Sequence, residues 1–208
     1  MSNRLPSALL RALIVVAIPV LAGCISTGRP PSIQTQYGLD LLRNAPRETA
    51  VPGSVLKTRY FTISPRFKKS TFLYKVSPVT YSGDYYSEFL VSPNALIAEQ
   101  VHLWLANSGL FEHVVDANSY MNETHYLEGD ILALYGDFSK KEQPIAVLEL
   151  GLLMLKRQGN ALEPLIQKRY LKNIPLVRPS APALVEGWKE ALSQILAEFE
   201  ADLQRTQL

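Results

Sequence analysis

The chain has 208 residues, of which 47% are hydrophobic and 19% charged, the balance of one folded domain with a proper core and not of a disordered or low-complexity chain. Its formal net charge of +2 comes from Arg4 and Arg11 within the first 23 residues; the remaining 185 carry 19 basic and 19 acidic side chains. A neutral body argues against a nucleic-acid partner, and a single cysteine excludes internal disulfides and a cysteine-rich zinc site.

Residues 1–11 carry only positive charge, and residues 12–22 (ALIVVAIPVLA) form an apolar run of eleven. A bilayer span needs about 20 helical residues, and Pro19 interrupts a helix, so residues 1–23 read as a secretory signal peptide. Leu21-Ala22-Gly23-Cys24 resembles the bacterial lipobox. That resemblance implies diacylglycerol on the Cys24 thiol, cleavage before Cys24 and acylation of the new amine. One myristoyl chain binds a membrane only marginally, at about 0.8 kcal/mol per buried methylene, so three chains predict a stable anchor. Residue 25 is Ile, where Asp resembles an inner-membrane retention signal. This predicts delivery to the outer membrane, facing the periplasm. Residues 24–36 are polar after the cysteine, with Pro30-Pro31 and Gly28, and read as a lipid-anchored linker.

The domain then runs from 37 to 208. Tyr37-Gly38-Leu39 opens a short strand, and residues 43–54 hold two prolines and a glycine and predict a loop. Residues 55–63 (VLKTRYFTI) predict one half-exposed strand, and residues 72–76 and 85–91 two more, with Ser82-Gly83-Asp84 as the turn between them. Ser92 caps a helix that Pro93 enters and Gly109 stops, with Ile97, Val101, Trp104 and Leu105 as its apolar stripe. Strands follow at 111–115, 125–138, 145–155 and 165–174, the third of these nearly all apolar and hence central. A second helix, capped by Ser180, carries Leu184, Trp188, Leu192, Ile195, Phe199 and Leu203. The pattern predicts an α+β domain: a single antiparallel or mixed sheet of about six strands, with two amphipathic helices packed on one face.

Phosphate-binding glycine loops, a nucleophile elbow and the His-Glu-x-x-His zinc motif are absent from the sequence, so neither a catalytic site, a cofactor nor a metal is expected. His102, His113 and His125 have no ligand spacing. Glu128 and Asp130 share one strand face, which suits paired acid/base chemistry; a solvated face, or salt bridges to Lys168 and Lys172, is the plainer expectation. Nine of the seventeen Phe and Tyr residues lie between Tyr60 and Phe89. Sheet packing accounts for part of this cluster, and a recognition surface for the rest. The loop at residues 64–70 (SPRFKKS) sets three cations around Phe67. Phe67, Lys68 and Lys69 are therefore candidate partner-binding residues.

The lipobox, Tyr37-Gly38-Leu39, the strand at 56–63, the helix ending in Leu105-Ala106-Asn107-Ser108-Gly109, Tyr126-Leu127-Glu128-Gly129 and the final helix over 183–203 together resemble the ABC-type transport auxiliary lipoproteins, specifically the paraquat-inducible protein C-like branch. The sequence departs from that pattern at Phe89-Leu90-Val91 and Gly151-Leu152-Leu153, where the family often has Trp. The resemblance implies a non-catalytic envelope lipoprotein that works with a mammalian-cell-entry (MCE) domain protein and an ABC transporter in lipid traffic between membranes. Work at one fixed site beneath a tube-like partner would favour a symmetric homo-oligomer, since a ring presents the same patch repeatedly. A lipopolysaccharide-assembly-type lipoprotein that chaperones or plugs an outer-membrane β-barrel is the alternative.

Overall fold

The computed structural model describes residues 33–140 and 142–206. The signal peptide, Leu21-Ala22-Gly23-Cys24 and the linker as far as residue 32 lie outside the described residues. From Gln34 the chain forms β1 (Thr35–Tyr37), β2 (Val51–Thr58), β3 (Thr62–Ile63), a 3-10 turn (Pro65–Phe67), β4 (Thr71–Lys75) and β5 (Tyr81–Phe89). It continues with α1 (Pro93–Ser108), β6 (Phe111–Val115), β7 (His125–Asp137), β8 (Ile145–Gln158), β9 (Ala161–Pro175) and α2 (Ala181–Arg205).

β7 organises the sheet. One edge pairs antiparallel with β8 along its length, and β8 pairs with β9. The other edge takes three short parallel partners in succession: β2 beside His125 to Leu127, β3 beside Asp130 and Ile131, and β4 beside Gly136 and Asp137. Beyond them, β6 joins β2 in parallel, while β5 joins β4 antiparallel and carries β1 on its far edge. The fold is α+β with a mixed sheet of nine strands among the described residues.

The apolar run of β8 turns Ala146, Leu148, Leu150, Leu152 and Met154 into the core, one residue in two as a pleated strand requires. Both helical stripes enter that same hydrophobic cluster, and the helices touch each other. Trp188 is fully buried, edge-on to Phe72 at 5.0 Å, and donates from Nε1 to the Val147 carbonyl at 3.2 Å. Two glycines are set by contact. A Cβ on Gly187 would come within 2.6 Å of both Ala146 Cβ and Leu176 Cδ2, so its absence lets α2 lie close on the sheet. A Cβ on Gly129 would meet the Phe61 ring at 2.3 Å, because that ring lies over the β7 backbone.

Several expectations need correction. The predicted strand over 55–63 is two strands: Thr58 pairs with Leu127 and Thr62 with Asp130, so four steps on one side match three on the other. The extra residue bulges the chain and lets Phe61 fold inward over Gly129. Ser82-Gly83-Asp84 is not a turn but part of β5. Pro78 supplies the turn instead, and Val76 N–H donates to the Thr80 carbonyl at 2.9 Å. β2 starts at Val51, inside the predicted loop, because β6 offers it a partner at Phe111. The sheet has nine strands and not about six: all eight segments that read as strands join it, and the one over 55–63 divides in two. Ser92 caps α1 through its carbonyl, which accepts from Ala95 and Leu96, and not through its side chain. The other end is as expected, with Gly109 left-handed at φ 79°.

Candidate functional site

Between its pairings with β3 and β4, the β7 edge at Leu132 to Tyr135 has no partner strand. The Pro65–Phe67 turn crosses this notch, anchored by Ser64 N–H donating to the Ile131 carbonyl at 2.9 Å. Phe67 turns inward: the residue is only 5% exposed, and its ring stacks on Tyr135 at 5.9 Å between centroids. Phe67 is therefore a packing residue and not a surface contact, a correction to its predicted role. Lys68 and Lys69 are exposed, and the Arg66 guanidinium lies 5.4 Å from the Phe67 ring centroid.

The far wall of the notch comes from an irregularity in β5. Thr71 pairs with Glu88 and Leu73 with Gly83, so Phe72 alone faces the four residues from Asp84 to Ser87. Asp84 holds this bulge: its carboxylate accepts from the Tyr86 N–H at 2.8 Å and the Tyr74 hydroxyl at 2.5 Å. Burial opposes ionisation of Asp84, yet these donors hold its carboxyl below the usual carboxylate range. Burial and the adjacent Asp84 push the Tyr74 hydroxyl up, so it stays a donor. Tyr85 and Tyr86 stand out on the bulge, 65% and 61% exposed, edge-to-face at 5.2 Å.

Beneath the bulge lies a cleft of about 330 Å³. Phe67, Leu73, Phe89 and Leu134 line it, with Arg66 and Lys69 among its polar groups. The nine clustered aromatics thus divide by type. Phe61, Phe67, Phe72 and Phe89 are buried, whereas Tyr60, Tyr81, Tyr85 and Tyr86 are exposed and Tyr74 is half-buried. The hydroxyl was the available sequence signal for that division. Leu134, Asp84 and Gly83 had none, because each reaches the site through non-local pairing.

The other candidates do not converge here. Glu128 accepts from Arg59 at 2.8 Å, and Asp130 accepts from the Thr62 hydroxyl. They line a separate depression over Gly151. Lys168 and Lys172 bond Glu198 of α2, and Lys168 also Asp202, so they are not the partners predicted for Glu128 and Asp130. His102 Nδ1 meets Thr58 Oγ1 at 2.9 Å, His113 is exposed, and His125 is buried. Among the described residues no group of three or more His, Cys, Asp or Glu side chains is placed to hold a metal ion, and no helix is long and apolar enough to cross a membrane.

Neither a family model nor a curated protein matches the sequence. Solved structures do match the fold. XCC0632 from Xanthomonas campestris, of family DUF330, superposes with a TM-score of 0.67 at 15% identity, over 83% of this chain and 96% of that one. An uncharacterized protein gives 0.61 at 12% identity, over 82% and 99%. Hypothetical protein CT253 from Chlamydia trachomatis gives 0.50 at 10%, over 72% and 97%. At such identities the likeness is one of fold.

Proposed function

We propose that this protein is a lipid-anchored, non-catalytic envelope component that captures an MCE-domain partner of an ABC-transporter system moving lipid between membranes. The observation that carries the reading is the notch surface: exposed tyrosines held on a bulge by Asp84, beside the three cations Arg66, Lys68 and Lys69. Rigidly displayed Tyr and Arg side chains are the usual anchors of protein recognition. The sequence resemblance supplies the partner class, and the shared fold with XCC0632 over nearly its whole length is consistent with a common architecture. Cys24 carries the lipid, Ile25 favours the outer membrane, and a symmetric homo-oligomer presents the same surface repeatedly.

The test is crosslinking in intact cells followed by identification of the captured partner. Lys68→Glu/Lys69→Glu and Tyr85→Ala/Tyr86→Ala should each lower the yield of an MCE-domain complex at equal protein level. Unchanged yield in both removes the interface from this surface. Capture of an outer-membrane barrel in place of the MCE protein replaces the reading with barrel assembly. Mass spectrometry of the N-terminus should find acylated Cys24, and Cys24→Ala should leave an uncleaved precursor; a free thiol refutes the anchor.

A further inference from the structure

We propose that the notch cleft is itself a ligand site, and that it takes a single-chain anionic amphiphile: an apolar tail with a carboxylate or phosphate head. The inference rests on the reading of this surface as a recognition site, and it adds a small molecule to it. Phe67, Phe89 and Leu134 are core residues, yet they also line the cleft of about 330 Å³, so its floor is apolar. That volume lies at the lower end of ligand pockets, which are mostly apolar with a few polar groups that set orientation.

Two of the polar groups that line the cleft, Arg66 and Lys69, are cationic. Among the described residues Arg66, Lys68 and Lys69 form no ion pair, whereas Lys75 close by pairs with Asp137 and Arg59 with Glu128. Three unpaired cations on one turn leave a local positive field for an anion. Asp84 also lines the cleft, but its carboxylate is occupied by the Tyr74 hydroxyl and the Tyr86 N–H. The tail therefore lies on Phe67, Leu73, Phe89 and Leu134, and the head meets Arg66 and Lys69. Gly83 keeps the entrance open: a Cβ there would meet only Thr71 Cγ2, at 3.9 Å, so a larger side chain would project into the cleft without a backbone clash.

The experiment uses the mature lipidated protein in phosphatidylcholine vesicles and a diazirine analogue of palmitic acid as the probe. Photolabelling, mapped by mass spectrometry, should concentrate on residues 66–73 and 83–89. Dodecyl phosphate should compete and dodecanol should not. Gly83→Leu should lower labelling about tenfold by filling the tail site. Arg66→Glu/Lys69→Glu, at two exposed positions, should lower it similarly by removing the head contacts. Equal labelling of wild type and both variants overturns the proposal. So does equal competition by dodecanol, or label spread over Val79 and Tyr81 and indifferent to Gly83→Leu, which marks general contact with a bilayer. Partner capture is read separately, by crosslinking at Lys68 and Tyr86, so either reading can fail alone.

Discussion

Glu200 offers a severe test of how this fold is held. It lies on the buried side of α2 and accepts from Arg43 Nε at 3.0 Å, from Arg43 Nη2 at 2.5 Å and from Trp104 Nε1 at 2.9 Å. The Arg43 and Glu200 side chains are only 3% and 9% exposed. Arg43 also donates to the Ala45 and Pro46 carbonyls at 2.7 and 2.9 Å, so one carboxylate ties the loop before β2 to both helices. Glu200→Ala strands a buried guanidinium without a counter-ion and leaves the Trp104 N–H without its acceptor. Removing one partner of a buried pair costs about 3–5 kcal/mol. For a domain of this size each kcal/mol moves the melting temperature by about 2–4 °C, a fall of roughly 6–20 °C. Glu200→Gln keeps an acceptor for Trp104 and should lose less. Arg43→Met with Glu200→Leu removes both charges and should recover the part of the loss due to the unpaired guanidinium, because an apolar pair has no desolvation to offset, while the Trp104 N–H still lacks its acceptor. Urea unfolding followed by tryptophan fluorescence measures all three. A Glu200→Ala protein within about 1 kcal/mol of wild type would refute the clasp, as would a double variant no better than the single one.

Gly129→Ala should destabilise by about 1–3 kcal/mol through overpacking against Phe61, and Phe61→Leu in the same chain should relieve it; a thermal melt showing no change would mean the ring moves freely aside. Trp188→Ala should cost about 3–5 kcal/mol, and Trp104→Ala a comparable amount because it also takes a donor from Glu200, both read by calorimetry. His125 is 3% exposed, and burial, reinforced by Lys156, pushes its pKa down to about 4. Between the ordinary value near 6.5 and about 4 the unfolded chain holds a proton that the native chain does not, so stability falls as pH drops through that window. His125→Phe should flatten the fall seen in urea melts at pH 7, 5.5 and 4; an unchanged slope places the effect elsewhere.

Local pattern carried much of this protein. The stripes of both helices and the apolar run of β8 are written in spacings of a few residues, where side-chain periodicity acts directly. Glu128-Gly129 reads only as a motif, and Gly187 lowers the intrinsic propensity of its helix by about 1 kcal/mol. Tertiary contact explains both glycines, since Phe61 and Ala146 arrive from distant segments. Tertiary structure alone decided that β7 takes three short partners along one edge, that the chain between β3 and β4 leaves a notch, and that Asp84 holds a bulge where Gly83 suggested a turn. It also turned Phe67 inward while leaving Lys68 and Lys69 outside. The physical reason is register: which residues of two strands meet depends on the core face they must bury together, and a single strand's own pattern holds only half of that condition.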